Sequence, residues 1–355
     1  MLRTANDVLA HVARRLPDCQ PTAAPERLAG GHLNYVWRVR ADPRALIVKS
    51  APPFIADLPD VALDADRVLF EARSLELLGP GGRLSMLCSD TLRVPVCLDL
   101  DTERRVLVME DVGTLSDLAA ELRRANVRPG WAHVLGRFIG GLHARTAGNA
   151  ELSEEFCNAA VQQTRLDLQY RAIGTFLSAA GIDAAPRIAL RAVELGERFA
   201  GPGVCLTMGD LWPASILVDG ERLRLIDWEF AHFGRPAQDV GHLLAHLWMQ
   251  AHRHSGTADE TLGLADTFLG TYIDTTELAG ATLLDAQFKA DCAVHMGAEI
   301  LMRTIGPFQR GYLYEGLKPD SRPVQEATGF ATASVLAGDN ELLRAIPPPS
   351  RCKNG

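Results

Sequence analysis

Two aspartates in this chain stand where acids could do chemistry. Asp210 lies in the small polar loop Met208-Gly209-Asp210-Leu211-Trp212-Pro213, and Asp227 follows an apolar run seventeen residues later, in Leu225-Ile226-Asp227-Trp228-Glu229-Phe230. Transfer of the γ-phosphoryl group of ATP needs two such acids, one to orient the attacking hydroxyl and one to hold Mg²⁺. Pro213 stiffens the first loop, and the Asp210 carboxylate there can accept a hydrogen bond from a substrate hydroxyl. An aspartate ahead of a proline is also an ordinary turn residue. Asp227 is expected on a buried strand, where an acid needs a partner or a metal. Glu229, two residues on, offers a second metal oxygen if the backbone there is not extended, and in a regular strand it shares a face with Asp227, so that arrangement also serves.

Other residues fit the same chemistry. Lys49 ends the apolar strand Ala45–Val48; it is either a solvated strand end or a contact to the ATP phosphates. Glu71, in the middle of the next helix, is the carboxylate expected to hold it, with Glu76 as competitor. Gly30-Gly31-x-x-Asn34 sits between strand-like runs, where glycine N–H groups can approach phosphates or merely turn a hairpin. The pattern G-x-x-x-x-G-K-[ST] is missing, so a P-loop is not supported. Met109-Glu110-Asp111-Val112-Gly113 is either an inter-domain loop or a hinge whose backbone, around Glu110 and Val112, would bond adenine.

The elements that must position these residues divide the chain. The first part reads as strands over 27–39, 45–49, 94–100 and 105–109, with a glycine turn inside the first run, and one helix over 67–78. That is a five-stranded antiparallel sheet with one main helix. Val8, Leu9, Val12 and Leu16 have the spacing of a docked amphipathic helix, which fits better than a presequence because Asp7 is acidic. From about residue 114 the pattern turns helical. Trp131, Val134, Leu135, Phe138, Ile139 and Leu142 mark one face, and further helices are expected over 262–273, 283–305 and 324–336. Asp219-Gly220 predicts a hairpin turn. The expected division is a nucleotide-binding lobe 1–110, a hinge 111–113, a helical lobe 114–346 and a frayed tail 347–355.

Composition narrows the class. At 355 residues the chain exceeds one ordinary core. Its net charge of −8 disfavours a general nucleic-acid binder. No apolar run is long enough for a membrane span. The seven cysteines are scattered without a C-x-x-C pair, so each reads as a small buried residue in a reducing, cytoplasmic setting. His242 and His246 are four apart but lack the glutamate of an H-E-x-x-H zinc motif, and His232 adds no ligand spacing.

Taken in order, the motifs resemble the aminoglycoside phosphotransferase-like superfamily, which includes choline kinases and methylthioribose kinases. The resemblance covers about residues 27 to 305. It rests on Gly30-Gly31-x-x-Asn34, Val48-Lys49, Glu71, Met109-Glu110-Asp111, Leu142-His143, Gly209-Asp210-Leu211-Trp212-Pro213-x-Ser215-Ile216-Leu217-Val218 and Ile226-Asp227-Trp228-Glu229-Phe230-Ala231. Gly234-Arg235-Pro236-Ala237-Gln238-Asp239-Val240 looks like the family's G-x-P-x-x-D signature.

The resemblance implies an α+β, two-lobed protein-kinase-like fold with a larger, mostly helical C-terminal lobe, and ATP and Mg²⁺ as cofactors. It implies Asp210 as catalytic aspartate, Asp227 on Mg²⁺, Lys49 on the phosphates with Glu71 orienting it, and Asp239 bracing the catalytic loop. Met208 replaces the family's usual histidine at a position that mostly packs. Ser215 replaces its metal-binding asparagine and is expected to offer a hydroxyl to the metal. Serine here and the Asp-x-Glu form at 227–229 resemble the methylthioribose kinase branch. So does 297–306, where paired arginines contact the sugar; here only Arg303 is present, beside Met302.

The expected function is phosphorylation of a small-molecule hydroxyl on a sugar-like or amino-alcohol acceptor. Trp212 and Arg303 are the substrate candidates. Trp248 lies near the same expected substrate region, but its apolar spacing favours core packing, and His143 is expected to be a helix-end residue. Oligomeric state is left open, a homodimer included. The alternative is a nucleotide-binding pseudokinase with a regulatory or scaffold role, kept alive by Ser215. A protein kinase is disfavoured because no Ala-Pro-Glu segment is seen.

Overall fold

The computed structural model describes residues 1–28 and 33–346. Gly30, Gly31 and the tail 347–355 lie outside these residues. The chain forms two compact units: Met1–Leu115 with Arg224–Ala231, and Ser116–Leu223 with the chain from His232 onward. The first division falls just past the hinge expected at 111–113. The short return of 224–231 to the first unit carries Asp227 and Glu229 into it, which a division into contiguous blocks misses.

Unit 1 is built on an antiparallel sheet of five strands among the described residues. They are β1 (Glu26–Arg27), β2 (Tyr35–Val39), β3 (Leu46–Ser50), β4 (Cys97–Asp101) and β5 (Val106–Glu110), in the order β1-β2-β3-β5-β4. The fourth strand starts later than 94 because Val96 instead accepts from the Glu110 N–H across a register shift. Helix α1 (Ala5–Arg15) begins at a Thr4–Asp7 capping box, which satisfies orphan N–H groups of its first turn. Its Val8 and Val12 pack into a core with Trp37, Val39, Leu46, Val48, Val106 and Val108. Helix α2 (Arg67–Leu78) buries Val68, Ala72, Leu75 and Leu78 as its spacing predicts. It also buries Arg67 and Glu71, two charges that apolar periodicity does not account for. Two small strand pairs, Gln20–Pro21 with Ala41–Asp42 and Phe54–Ile55 with Leu58–Ala62, were not expected.

Unit 2 is mostly helical. Its longer helices are α3 (Pro129–Thr146), α4 (Ala185–Ala200), α5 (Ala237–Arg253), α6 (Ala258–Leu278), α7 (Phe288–Thr304) and α8 (Arg322–Ala337). Gly136 and Gly140 let α3 lie close along α6; a Cβ at Gly136 would sit 2.7 Å from the Phe268 carbonyl. Strand β6 (Cys205–Thr207) pairs with β8 (His232–Gly234), and between them the chain runs through the Asp210 loop into β7 (Ile216–Asp219). The Asp219-Gly220 turn has Gly220 at φ 61°, as a tight hairpin turn favours. Helices α5 and α7 are buried over almost all their faces, yet they carry His242, His246, His295 and Glu299. Buried polar groups need partners, so the middle of this unit is a polar network, not an oily core.

Among the described residues no helix is long and apolar enough to cross a membrane. The six described cysteines are free. Cys19, Cys205 and Cys292 are buried, but Cys88 and Cys97 are half-buried and Cys157 is exposed, so the uniform expectation of burial is corrected.

Candidate active site

In unit 1 the chain brings five charged side chains and Asn34 together. Lys49 Nζ lies 2.7 Å from Glu71 Oε2, 2.9 Å from Asp227 Oδ1 and 3.3 Å from Glu229 Oε1. Glu71 is therefore the helix carboxylate paired with this lysine, while Glu76 lies against the Cys97 thiol. Burial opposes the Lys49 charge, but Asp227, Glu229 and Glu71 together outweigh it and raise its pKa well above the ordinary lysine value. Three acids share one ammonium here. Burial pushes Glu71 up to about 7, and the nearby Glu229 and Asp227 add to the rise against the pull of Lys49.

Asp227 is not on a strand. The strand ends at Leu225, Asp227 takes a left-handed conformation at φ 63°, and Trp228–Phe230 form a 3₁₀ turn. The buried Trp228 ring holds the turn, donating from Nε1 to the Leu225 carbonyl at 3.2 Å. An aspartate tolerates this backbone better than most residues. The i, i+2 strand argument for a shared face therefore fails, and the two acids meet different surroundings. Asp227 has a side chain 48% exposed. Glu229 is buried: Oε1 accepts from Asn34 Nδ2 at 2.8 Å, and Oε2 accepts from Asn34 at 3.0 Å and from Arg67 Nε at 2.8 Å. Burial opposes the Glu229 charge, but Lys49, Arg67 and Asn34 outweigh it and lower the pKa. The expectation of Glu229 as a metal oxygen is amended, because the protein's own donors hold both of its oxygens.

Arg67 was missed by the sequence reading. Its fully buried guanidinium also donates to the carbonyls of Leu33, Pro52 and Asp64 and to Asn34 Oδ1. It thus ties the residues after the glycine pair to the start of α2 and to the Glu229 turn. Glu110 spends its carboxylate on Arg93, at 2.6 and 2.8 Å. Its N–H donates to Val96, and the Asp111 N–H donates to Ala45. Asp111 in turn clamps Arg38.

In unit 2, Asp239 lies in the first turn of α5 and is wholly buried. Its Oδ2 accepts from the Met208 N–H at 2.7 Å and faces His143 Nε2 at 3.1 Å, while Oδ1 accepts from the Gly209 N–H at 2.8 Å. Burial opposes ionisation of Asp239, but His143 and these backbone donors outweigh it and lower its pKa. His143 lies in the last turn of α3, as expected of a helix-end residue, and it is fully buried between Asp239 and the Tyr272 hydroxyl. Met208 packs, as its position suggested, and Gly209 takes φ 82°. The loop then presents Asp210, 26% exposed. Ser215 was expected at the metal, but its hydroxyl turns into its own loop. Oγ donates to the Trp212 carbonyl at 2.8 Å, with the Asp210 carbonyl at 3.3 Å, and receives the Trp212 N–H.

Sequence reading missed Arg165. Its buried guanidinium donates to the Asp210 Oδ1 at 2.9 Å and to the Gly209 carbonyl at 2.8 Å. It also missed Glu299, whose Oε1 faces Arg303 Nε at 2.8 Å and His246 Nε2 at 3.1 Å, and whose Oε2 accepts from Gln169 Nε2 at 2.8 Å. Trp212 and Arg303 come together: the guanidinium lies 4.8 Å from the Trp212 ring centre and 4.9 Å from that of Tyr312. Trp248 is core, stacked on Phe330 at 4.1 Å. His242, His246 and Glu299 bring three potential ligand atoms within 4.8 Å of one another. The Arg303 guanidinium already sits on the Glu299 oxygen a cation would use, so the geometry favours an internal ion pair. The signal available in sequence was a lone acid inside the apolar run Val294–Met302, since such an acid needs a partner.

Residues 25–280 match the profile of APH, described as a phosphotransferase enzyme family. The chain is 28% identical over 272 residues to the 4-hydroxytryptamine kinase of Psilocybe cyanescens, covering 70% of this chain and 74% of that protein. It is 26% identical over 318 residues to the methylthioribose kinase of Bacillus velezensis, covering 80% and 79%. In fold it is similar to a choline/ethanolamine kinase family protein from Mesorhizobium loti, with a TM-score of 0.52, 15% identity and coverage of 96% and 98% of the two chains.

Proposed function

This chain belongs to the APH phosphotransferase enzyme family, and we propose that it moves the γ-phosphoryl group of ATP to a hydroxyl of a small, sugar-like or amino-alcohol acceptor. The observation that carries the reading is Asp210. It is a half-open carboxylate on a loop whose backbone is gripped by a buried second acid, Asp239. Phosphoryl transfer gains more from positioning than from covalent chemistry, and this arrangement positions.

Lys49, held by Glu71, would contact the phosphates. The hinge backbone at Glu110 and Val112 would bond adenine. Asp227 fits a divalent cation, because Mg²⁺ takes one or two carboxylates together with phosphates and waters. Its exposed carboxylate is the one acid of the unit-1 cluster open to solvent. Mg²⁺ there would neutralise phosphate charge. The acceptor hydroxyl would donate its hydrogen bond to Asp210. As its oxygen forms the new bond to the γ-phosphorus, the bond from that phosphorus to the β,γ-bridging oxygen breaks. ADP leaves, and the hydroxyl proton passes to Asp210. Two relatives are named for 4-hydroxytryptamine and for methylthioribose, both hydroxyl-bearing small molecules. Trp212 and the Arg303–Glu299 pair are the acceptor-side candidates. No observation favours the pseudokinase alternative.

The test is incubation with ATP, Mg²⁺ and either 4-hydroxytryptamine, methylthioribose or a panel of amino-alcohols, read by mass for one added phosphate. Wild type should phosphorylate at least one acceptor, and Asp210→Asn should lose roughly 10²- to 10⁴-fold in kcat. Equal turnover by wild type and Asp210→Asn would sink the reading.

A further inference from the structure

His242 presents a contradiction in the middle of unit 2. Its side chain is 2% exposed, yet Nε2 has no partner within hydrogen-bond distance. The nearest carboxylate oxygens are Asp210 Oδ1 at 3.6 Å and Glu299 Oε1 at 3.9 Å. On the other side of the ring, Nδ1 lies 3.3 Å from His295 Nε2, and His295 Nδ1 lies 2.7 Å from the Tyr170 hydroxyl. The three side chains form a line that ends at the catalytic aspartate.

The proton positions along that line follow from chemistry. Burial lowers the pKa of both histidines, so each is neutral and carries one N–H. Burial raises the Tyr170 pKa, so the phenol keeps its proton. Two arrangements fit the hydrogen bonds. In one, Tyr170 donates to His295 Nδ1, His295 Nε2–H donates to His242 Nδ1, and His242 Nε2–H points at Asp210 and Glu299. In the other every bond is reversed, and His242 would aim a lone pair at two carboxylates. Electrostatics selects the first, because which ring nitrogen carries the proton is set by the bond the other makes.

We propose that His242 and Arg165 are positioning residues that hold Asp210 by Oδ1 and leave Oδ2 as the atom that meets the acceptor hydroxyl. Arg165 Nη2 donates to Oδ1 at 2.9 Å and His242 Nε2–H faces the same atom. Among the described residues no hydrogen bond reaches Oδ2. The Arg165 hydrogen bond sets the carboxylate's rotation, and the His242 N–H, 3.6 Å from the same oxygen, adds an electrostatic pull toward it. The Arg165 guanidinium itself is anchored through the Gly209 carbonyl and Gln169, so its grip moves with the loop backbone. This inference rests on the phosphotransferase reading for its consequence, but its geometry stands apart from any substrate.

The experiment has two arms on the full chain. The first is ¹⁵N NMR of the histidines without acceptor, which reads the tautomer directly. Nε2–H at both His242 and His295 is expected, and Tyr170→Phe should change the His295 signals. An Nδ1–H tautomer at His242 overturns the inference, whatever the chain phosphorylates. The second arm is kinetics with MgATP and the best acceptor of the mass assay, or with water as acceptor if none is turned over. His242→Leu should lower kcat by up to the order of 10²-fold with KM for ATP unchanged. His242→Gln, which restores an N–H near the Nε2 position, should recover most of that. Equal losses in the two variants, or a loss seen only in KM for ATP, overturn it. An expected tautomer in a chain that transfers no phosphate counts against the function and leaves the geometry standing.

Discussion

Each unit couples a closed carboxylate to an open one, but the two do so with different materials. In unit 1, Glu229 is saturated by Arg67, Asn34 and Lys49 while Asp227 two residues away stays half exposed. In unit 2, Asp239 is saturated by the Met208 and Gly209 N–H groups and His143 while Asp210 stays partly open. Unit 1 therefore saturates its closed acid with side-chain donors, whereas unit 2 saturates its closed acid largely with main-chain N–H groups. The difference has a physical reason. A residue in a left-handed turn needs its neighbours pinned from outside, whereas a loop leading off a strand can be gripped through its own amides. Asp239 gains further from its place in the first turn of α5, where a negative charge meets the positive end of the helix dipole.

The largest effect should come from breaking the closed acid of unit 1. Glu229→Ala leaves Arg67 buried without its carboxylate, and breaking a buried pair costs about 3–5 kcal/mol. Urea unfolding should show that loss. Asp227→Asn removes a half-exposed charge and leaves the buried Lys49 paired with Glu71 and Glu229, so it should destabilise clearly less than Glu229→Ala, while phosphate transfer is lost. If the two variants were equally destabilised, the division of labour between closed and open acid would not hold.

A smaller and subtler contrast lies in pH. Glu229 and Asp239 have depressed pKa values, so their contributions to stability are present above the ordinary carboxylate range and are lost as pH falls through the depressed values. Glu71 has the opposite sign. Its folded value, raised to about 7 from 4.5, means that stability it contributes at low pH is lost as pH rises between those values. Glu71→Gln should flatten the stability curve across that window and leave the acid limb in place. A wild-type curve that rises through the window, unchanged in Glu71→Gln, would show that Lys49 keeps Glu71 ionised.

What could be read from the chain follows the same line. Lys49 and Glu71 were legible because a strand end and a helix midpoint are local features, and Asp239 because a motif marks it. The closed acid of unit 1 was misread because the assumption of a continuing strand hid the left-handed turn at Asp227. Arg67 was invisible as an anchor. Nothing in Arg67-Val68-Leu69-Phe70 separates a buried guanidinium from a solvated first-turn arginine, and its carboxylate partner lies 162 residues away. His242 and His246 were noticed as a pair, but Glu299 comes from another helix 53 residues on. Helical spacing within one segment cannot contain that contact.

Ser215 gives the smallest effect and the finest cut. Its hydroxyl serves the Trp212 backbone, so Ser215→Ala removes a loop bond worth about 0.5–1.5 kcal/mol. The loop remains gripped through Asp239, so kcat should fall only modestly. The Mg²⁺ concentration needed for half-maximal rate should stay where it is, whereas Asp227→Asn should raise it steeply. The two outcomes separate cleanly because a lost loop bond acts on the acceptor side alone. Were Ser215→Ala to raise the Mg²⁺ requirement as Asp227→Asn does, the hydroxyl would have to leave its loop when the metal binds. Unit 2 would then brace its open acid with a bond that breaks during the reaction, and the contrast with unit 1 would be one of mobility rather than of donor type.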